Sequence, residues 1–87
     1  MIQGKTETGF EFTVDPAVMD NMELVDAIAE VDTNPVAVSK VLKMVLDDSQ
    51  RKALYDHLRT PEGRVPVKAV GEAIADIFRC SGQQGKN

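Results

Sequence analysis

The residues best equipped for chemistry are one histidine and one cysteine, and neither is surrounded in sequence by the groups that a reaction needs. His57 lies in a helical stretch beside Asp56, but a general base also needs a nucleophile within hydrogen-bond reach and a pocket. Cys80 has only Arg79 beside it, and a reactive thiolate needs an electropositive setting. We therefore expect a surface or half-buried histidine and an unreactive thiol.

The acidic pairs and glycines do not form a recognisable metal or phosphate site. Asp47 and Asp48 are adjacent, as helix caps often are, and no further oxygen ligands follow at the spacing of a calcium loop. Gly63 and Gly71 stand alone, without the glycine-rich pattern that cradles phosphate. The sequence predicts no catalytic residue, no metal ligand and no cofactor, so function must depend on surface and packing.

The overall composition is that of one small globular domain. The chain has 87 residues, of which 43% are apolar and 28% charged. No segment approaches the roughly 18 apolar residues of a membrane span, and the N-terminus lacks the apolar stretch of a signal peptide. A single cysteine excludes an internal disulfide. We expect a cytosolic protein without a membrane partner.

The net charge of −4 is unevenly distributed along the chain. Residues 7–32 contain eight acids and no base: Glu7, Glu11, Asp15, Asp20, Glu23, Asp26, Glu30 and Asp32. Seven bases follow over residues 40–68: Lys40, Lys43, Arg51, Lys52, Arg59, Arg64 and Lys68. These bases are too scattered for duplex binding, so nucleic acid is not expected as a partner. The polarity fits two solvated faces, or association of an acidic surface with a basic one on another copy or a partner.

The pattern of the first 14 residues predicts an extended arm. Phe10, Phe12 and Val14 alternate with polar residues, as in a strand with one buried face, and residues 1–3 can pair back as a short hairpin. A lone hairpin is marginal in water. The Phe face must therefore cap the helical core, or the strand must offer an edge for pairing with another chain.

The pattern of the residues after the arm predicts a mainly α fold. The expected domain is compact, covers residues 1–80, and consists of four helices and the β arm. The expected helices cover residues 20–31, 35–46, 48–59 and 66–80, and residues 81–87 are expected to be a flexible tail. Asp20 with Glu23, and Asp47 with Gln50, have the spacing of capping boxes. Asn34 before Pro35 marks the start of the second helix.

The first predicted helix has an unusually wide apolar face. One stripe consists of Met22, Val25, Ile28 and Ala29, and it is widened by Leu24, Ala27 and Val31, with Met19 on the same face just before the helix. Methionine side chains fill irregular cores and also suit adaptable binding surfaces. The face is therefore either core or a site for a partner helix.

Four segments together resemble one family, the small tail assembly chaperones of long-tailed phages and prophages of Gram-positive bacteria. They are Gly9-Phe10-Glu11-Phe12, Asp20-Asn21-Met22-Glu23-Leu24, Gln50 through Leu54-Tyr55 to His57-Leu58-Arg59, and Gly63-Arg64-Val65. The likeness extends over residues 8–78. Family members often carry Trp where this chain has Met22, and Ser where it has Pro66.

The resemblance implies a non-enzymatic role in the host cytoplasm. Such chaperones bind the long helical tape measure protein, keep it soluble, help tail-tube subunits assemble around it, and are absent from the mature virion. We assign partner binding to the arm and to the wide helix face, with self-association as a further possibility. The assigned residues are Phe10, Phe12, Met19, Met22, Leu24 and Val25.

The last three residues allow one further hypothesis about how the protein is made. The codons for Gly85-Lys86-Asn87 can form a sequence on which ribosomes slip back one base. Members of the family often use such a slip to make a longer form, although an ordinary tail can contain the same residues.

The alternative functions are a structural head–tail connector or tail completion protein, and an acidic decoy of DNA.

Overall fold

A computed structural model describes residues 1–85 of the chain, with side chains through Ser81. The described part is mainly helical, with one small antiparallel hairpin. The hairpin strands are β1 (Ile2–Lys5) and β2 (Glu11–Val14). The helices are α1 (Pro16–Met19), α2 (Met22–Ala29), α3 (Pro35–Val45), α4 (Asp48–Leu58) and α5 (Val67–Gly85).

The structure differs from the predicted helices mainly at the two ends of the helical region. Residues 1–85 contain five helices rather than four, because Asp15 caps a separate short helix at Pro16 and Asp20 ends it. Asn21, not Asp20, then caps α2, and its side-chain oxygen accepts from the Glu23 N–H at 3.0 Å. The predicted helix over 20–31 is therefore shortened to Met22–Ala29.

The last helix is longer than the sequence indicates. It ends at Gly85 instead of Cys80, so residues 81–85 are helical and not part of a tail. Ser81 is only 6% exposed, which shows that the packed face of α5 continues past Cys80. Lys86 and Asn87, where the slippage hypothesis falls, lie outside the described residues.

Two five-residue turns share one hydrogen-bond pattern. In the turn from Thr6 to Phe10 the Thr6 N–H donates to the Phe10 carbonyl, the Gly9 N–H donates to the Thr6 carbonyl, and the Thr6 hydroxyl accepts from the Phe10 N–H. The turn from Thr60 to Arg64 makes the same three bonds. The fourth residue has a φ of +98° at Gly9 and +94° at Gly63, a conformation that glycine adopts without a Cβ clash.

The core joins the hairpin to the helices. Leu24 of α2, Leu42 of α3, Leu54 of α4 and Ile77 of α5 are almost fully buried, and Val14 lies among them. Phe10 and Phe12 belong to the same cluster. The two phenylalanines and Leu24 are therefore core residues in this chain, because their alternation and spacing direct them at the helices instead of at solvent.

Side chains from α4 and α5 hold the hairpin in place. Gln50 accepts from the Thr13 N–H at 2.7 Å and donates to the Thr13 carbonyl at 2.9 Å. The same amide therefore does not complete the predicted capping box with Asp47, although Asp47 does accept from the Gln50 N–H. Gln50 instead occupies both outward backbone groups of Thr13, which removes that position from pairing with another strand.

A charged group ties the hairpin turn to α5. The Glu7 N–H donates to Asp76 Oδ2 at 3.0 Å, and Arg79 donates to Asp76 Oδ1 at 2.6 Å and to Glu7 Oε2 at 3.3 Å. The hydrogen bond and the negative charge of Asp76 raise the pKa of Arg79 above its ordinary value. Asp76 is buried, and these two donors satisfy its carboxylate.

Replacing Gln50 by Ala should loosen the strand edge without unfolding the domain. The variant loses two hydrogen bonds to Thr13, and we expect the free energy of unfolding to fall by about 1–2 kcal/mol. Amide hydrogen exchange at Thr13 should become fast, while the Phe12 amide, which faces β1 in the ladder, stays protected. Lys52→Ala, at an exposed position of the same helix, is the control. An unchanged Thr13 exchange rate would show that Gln50 does not hold the edge.

Leu24 and Met22 should respond very differently to truncation, because one is 1% and the other 68% exposed. We expect Leu24→Ala to lower the free energy of unfolding by about 2–5 kcal/mol through lost burial and a cavity. Met22→Ala should change it by less than about 0.5 kcal/mol. Urea unfolding of both variants measures this difference, and equal losses would contradict the placement of Leu24 in the core.

Candidate functional site

His57 contacts the hairpin and is not arranged as a general base. Its Nε2 lies 3.1 Å from the Thr8 carbonyl oxygen and 3.2 Å from the Thr8 hydroxyl. A carbonyl can only accept, so the contact favours a proton on Nε2, which then cannot take the hydroxyl proton of Thr8. The ring also lies 5.9 Å from that of Phe10. His57 therefore positions the turn between the strands.

The other residues considered for chemistry also have structural roles. Cys80 is half-buried with its Sγ 4.0 Å from the Lys5 carbonyl oxygen. Asp47 caps α4, and Asp48 pairs with Arg51 at 2.8 Å. Within residues 1–85 no three His, Cys, Asp or Glu side chains gather as a metal site would require. The same part of the chain contains no helix of the length and apolarity that crossing a bilayer demands.

The six residues assigned to partner binding divide between core and surface. Phe10, Phe12 and Leu24 are buried. Met19 is half-buried and packs on the core. Only Met22 and Val25 are open, at 68% and 48% exposure. The structure thus does not bring the six together as one surface.

The exposed pair belongs to an outer stripe of α2. Met22, Val25 and Ala29 follow one another at helical spacing and are all exposed. Leu24 and Ala27 occupy the buried face of the same helix. The wide apolar face expected from the sequence is therefore two faces, one packed on the core and one exposed.

An open groove lies between α5 and the segment that joins α2 to α3. One part holds about 580 Å³ and a second about 380 Å³. The two parts share Val31, Asp32, Gly71 and Ala75, so they form one continuous groove. We call it the α2–α5 groove. Val67, Gly71, Ala75 and Phe78 line its α5 side, and Ile28 and Val31 line the other.

The α5 side of the groove has an unusual glycine. A Cβ at Gly71 would meet nothing within 4 Å, so packing within the described residues does not require glycine there. Glycine inside a helix is roughly 1 kcal/mol less favourable than alanine. At Gly71 the α5 side of the groove therefore has no side chain between the helix backbone and the open space.

Acidic residues border the groove and the α2 stripe. Asp32 and Glu72 line the groove itself, and Asp26 on α2 and Glu30 at its C-terminal cap are exposed. None of the four makes an ion pair with a described residue. By contrast, Asp48, Asp56 and Asp76 each pair with an arginine. Lys68 is the one base among the residues that line the groove.

The sequence reasoning missed the α5 side of this surface. Gly71 and Ala75, four residues apart, with Val67 one turn before them, were a signal of a helix face without bulky side chains. On the same helix Val70, Ile74 and Ile77 form a buried stripe. Because that stripe alone predicts a helix packed on a core, the sequence analysis did not identify the face at Gly71 and Ala75. Val67 is 54% exposed.

Comparisons with protein-family models, with curated proteins and with solved structures give no match to this chain.

Proposed function

We propose that this protein is a non-enzymatic tail assembly chaperone that binds a helical segment of a phage tape measure protein in the host cytoplasm. In this role it keeps the tape measure protein soluble and aids assembly of the tail tube around it. The four segments that resemble the chaperone family support the proposal. The observation that carries it is the apolar area left open in the described residues, on the α2 stripe and in the α2–α5 groove.

An open apolar surface suits the task of keeping a tape measure protein soluble. A tape measure protein is long and helical, and an amphipathic helix that has no partner exposes apolar area that aggregates. A groove between two helices accepts such a helix by its apolar face. The strand edge is a weaker candidate, since Gln50 already binds the outward groups of Thr13.

A structural head–tail connector or tail completion protein is the alternative. It is favoured by the separation of unpaired acids on α2 from bases on α3 and α4, which suits contacts between successive copies in a ring. A connector stays in the finished particle, whereas an assembly chaperone leaves. Mass spectrometry of purified particles therefore distinguishes the two.

Co-expression with the tape measure protein tests the proposal. We expect that protein to be insoluble alone and soluble with this chain. Met22→Asp combined with Val25→Asp should weaken binding by about tenfold or more, because charged groups replace an apolar contact. Ala53→Asp, at an exposed position on α4, is the matched control and should bind normally.

Circular dichroism and thermal unfolding must first show that both variants fold. Two results would contradict the proposal: a tape measure protein that is equally soluble without this chain, or stoichiometric amounts of the chain in purified particles. Equal binding by the double variant and its control would exclude the α2 stripe from the interface.

A further inference from the structure

We infer that the α2–α5 groove receives a partner helix whose apolar stripe is flanked by lysine or arginine residues. This inference rests on the proposed function and specifies the chemistry of the segment that the protein binds.

The shape of the groove fits a helix laid along α5. From Val67 to Phe78 the α5 side extends over roughly 17 Å of helix axis, about three helical turns. Ile28 and Val31 form a wall on the opposite side. The residues that line the groove belong to helices and to the turn after α2, and none belongs to a strand, so an incoming strand finds no backbone ladder to pair with. Side-chain ridges of a helix, in contrast, pack into the space between helices.

The floor lets the partner approach closely. Gly71 presents no side chain and Ala75 presents one exposed methyl group, while Val67 and Phe78 stand at the two ends. Large apolar residues of a partner, such as leucine, therefore have room above Gly71 and contact the end residues on both sides. The apolar part of the site is short, which makes the charged border important for recognition.

The border selects the sign of the flanking charges. Asp32 and Glu72 line the groove, and Lys68 is the one base among the lining residues. Neither acid forms an ion pair with a described base. A partner helix with basic residues beside its apolar stripe gains favourable contacts along this border, and one with acidic residues is repelled.

A second copy of this chain fits the groove less well. Helix α3, which carries Lys40 and Lys43 and no acid, presents Val36 as its one large exposed apolar side chain, and α4 presents none, so both offer little to fill an apolar groove. The α2 stripe is apolar, but its neighbours Glu23, Asp26 and Glu30 repel the acidic border. The partner is therefore a different chain with a basic amphipathic helix.

Two designed peptides test this inference directly. Each is a fluorescent amphipathic helix of about 18 residues, roughly 27 Å long, with the same leucine stripe. Lysine flanks the stripe in one peptide and glutamate in the other. Fluorescence anisotropy with the full chain should show the lysine peptide binding at least about tenfold more tightly at low salt, with the preference shrinking as salt screens the charges. Equal binding of both peptides would overturn the inference.

Substitutions at Gly71 and Glu72 locate the binding. Gly71→Leu fills the groove and should weaken the lysine peptide by about tenfold or more, whereas Gly71→Ala adds one methyl group in open space and should bind like the wild type. Glu72→Lys should weaken binding by about two- to fivefold, and Glu62→Lys, in an exposed turn, should not. Thermal unfolding verifies that each variant folds. Unchanged binding by Gly71→Leu would overturn the placement in this groove.

The outcomes separate this inference from the proposed function. If Gly71→Leu still solubilises the tape measure protein, the function holds and the groove assignment fails. If the wild type binds the lysine peptide in the groove but does not solubilise the tape measure protein, the groove assignment holds and the function fails. Sedimentation velocity checks self-association: a dimer that Gly71→Leu dissociates would assign the groove to a second copy and overturn the inference.

Discussion

A two-stranded hairpin by itself is marginally stable in water, and here it gains stability because its Phe10, Phe12 and Val14 side chains are buried against the helices. The benefit is mutual. A chain of this size buries only roughly 60–65% of its unfolded surface, so the small core depends on every large side chain that covers it. The phenylalanines supply two of the largest. The N-terminal arm is thus part of the core.

Polar contacts then determine where the hairpin lies. Gln50 and His57 of α4 bind opposite ends of β2 and its turn, while Asp76 and Arg79 of α5 bind the turn from the other side. The hairpin therefore connects two helices that are separated by the turn at Thr60–Arg64. Because α5 contacts the hairpin through Asp76 and the core through Ile74 and Ile77, its remaining face, at Gly71 and Ala75, is left without a partner inside the domain.

Much of the helical architecture could be predicted from local signals. Asn34 before Pro35 and Asp47 at the start of α4 are caps, and their effects are settled by neighbouring residues. The misplaced features depend on distant contacts. Gln50 has capping-box spacing, but Thr13 binds its amide, and only the tertiary fold places them together. Likewise Met22 and Leu24 look equivalent in the sequence, and only the tertiary fold buries Leu24 and leaves Met22 exposed.

The candidate surface was less predictable than the fold because stability and binding use the same kinds of residue. An apolar stripe reads as core whether or not anything covers it, so the stripe of Met22 and Val25 could be noticed but not separated from Leu24. Gly71 differs, since it lowers helix stability and no neighbour within the described residues demands it. Gly71 therefore occupies a position where helix stability alone would favour alanine, and it leaves the α5 face beside the groove without a side chain.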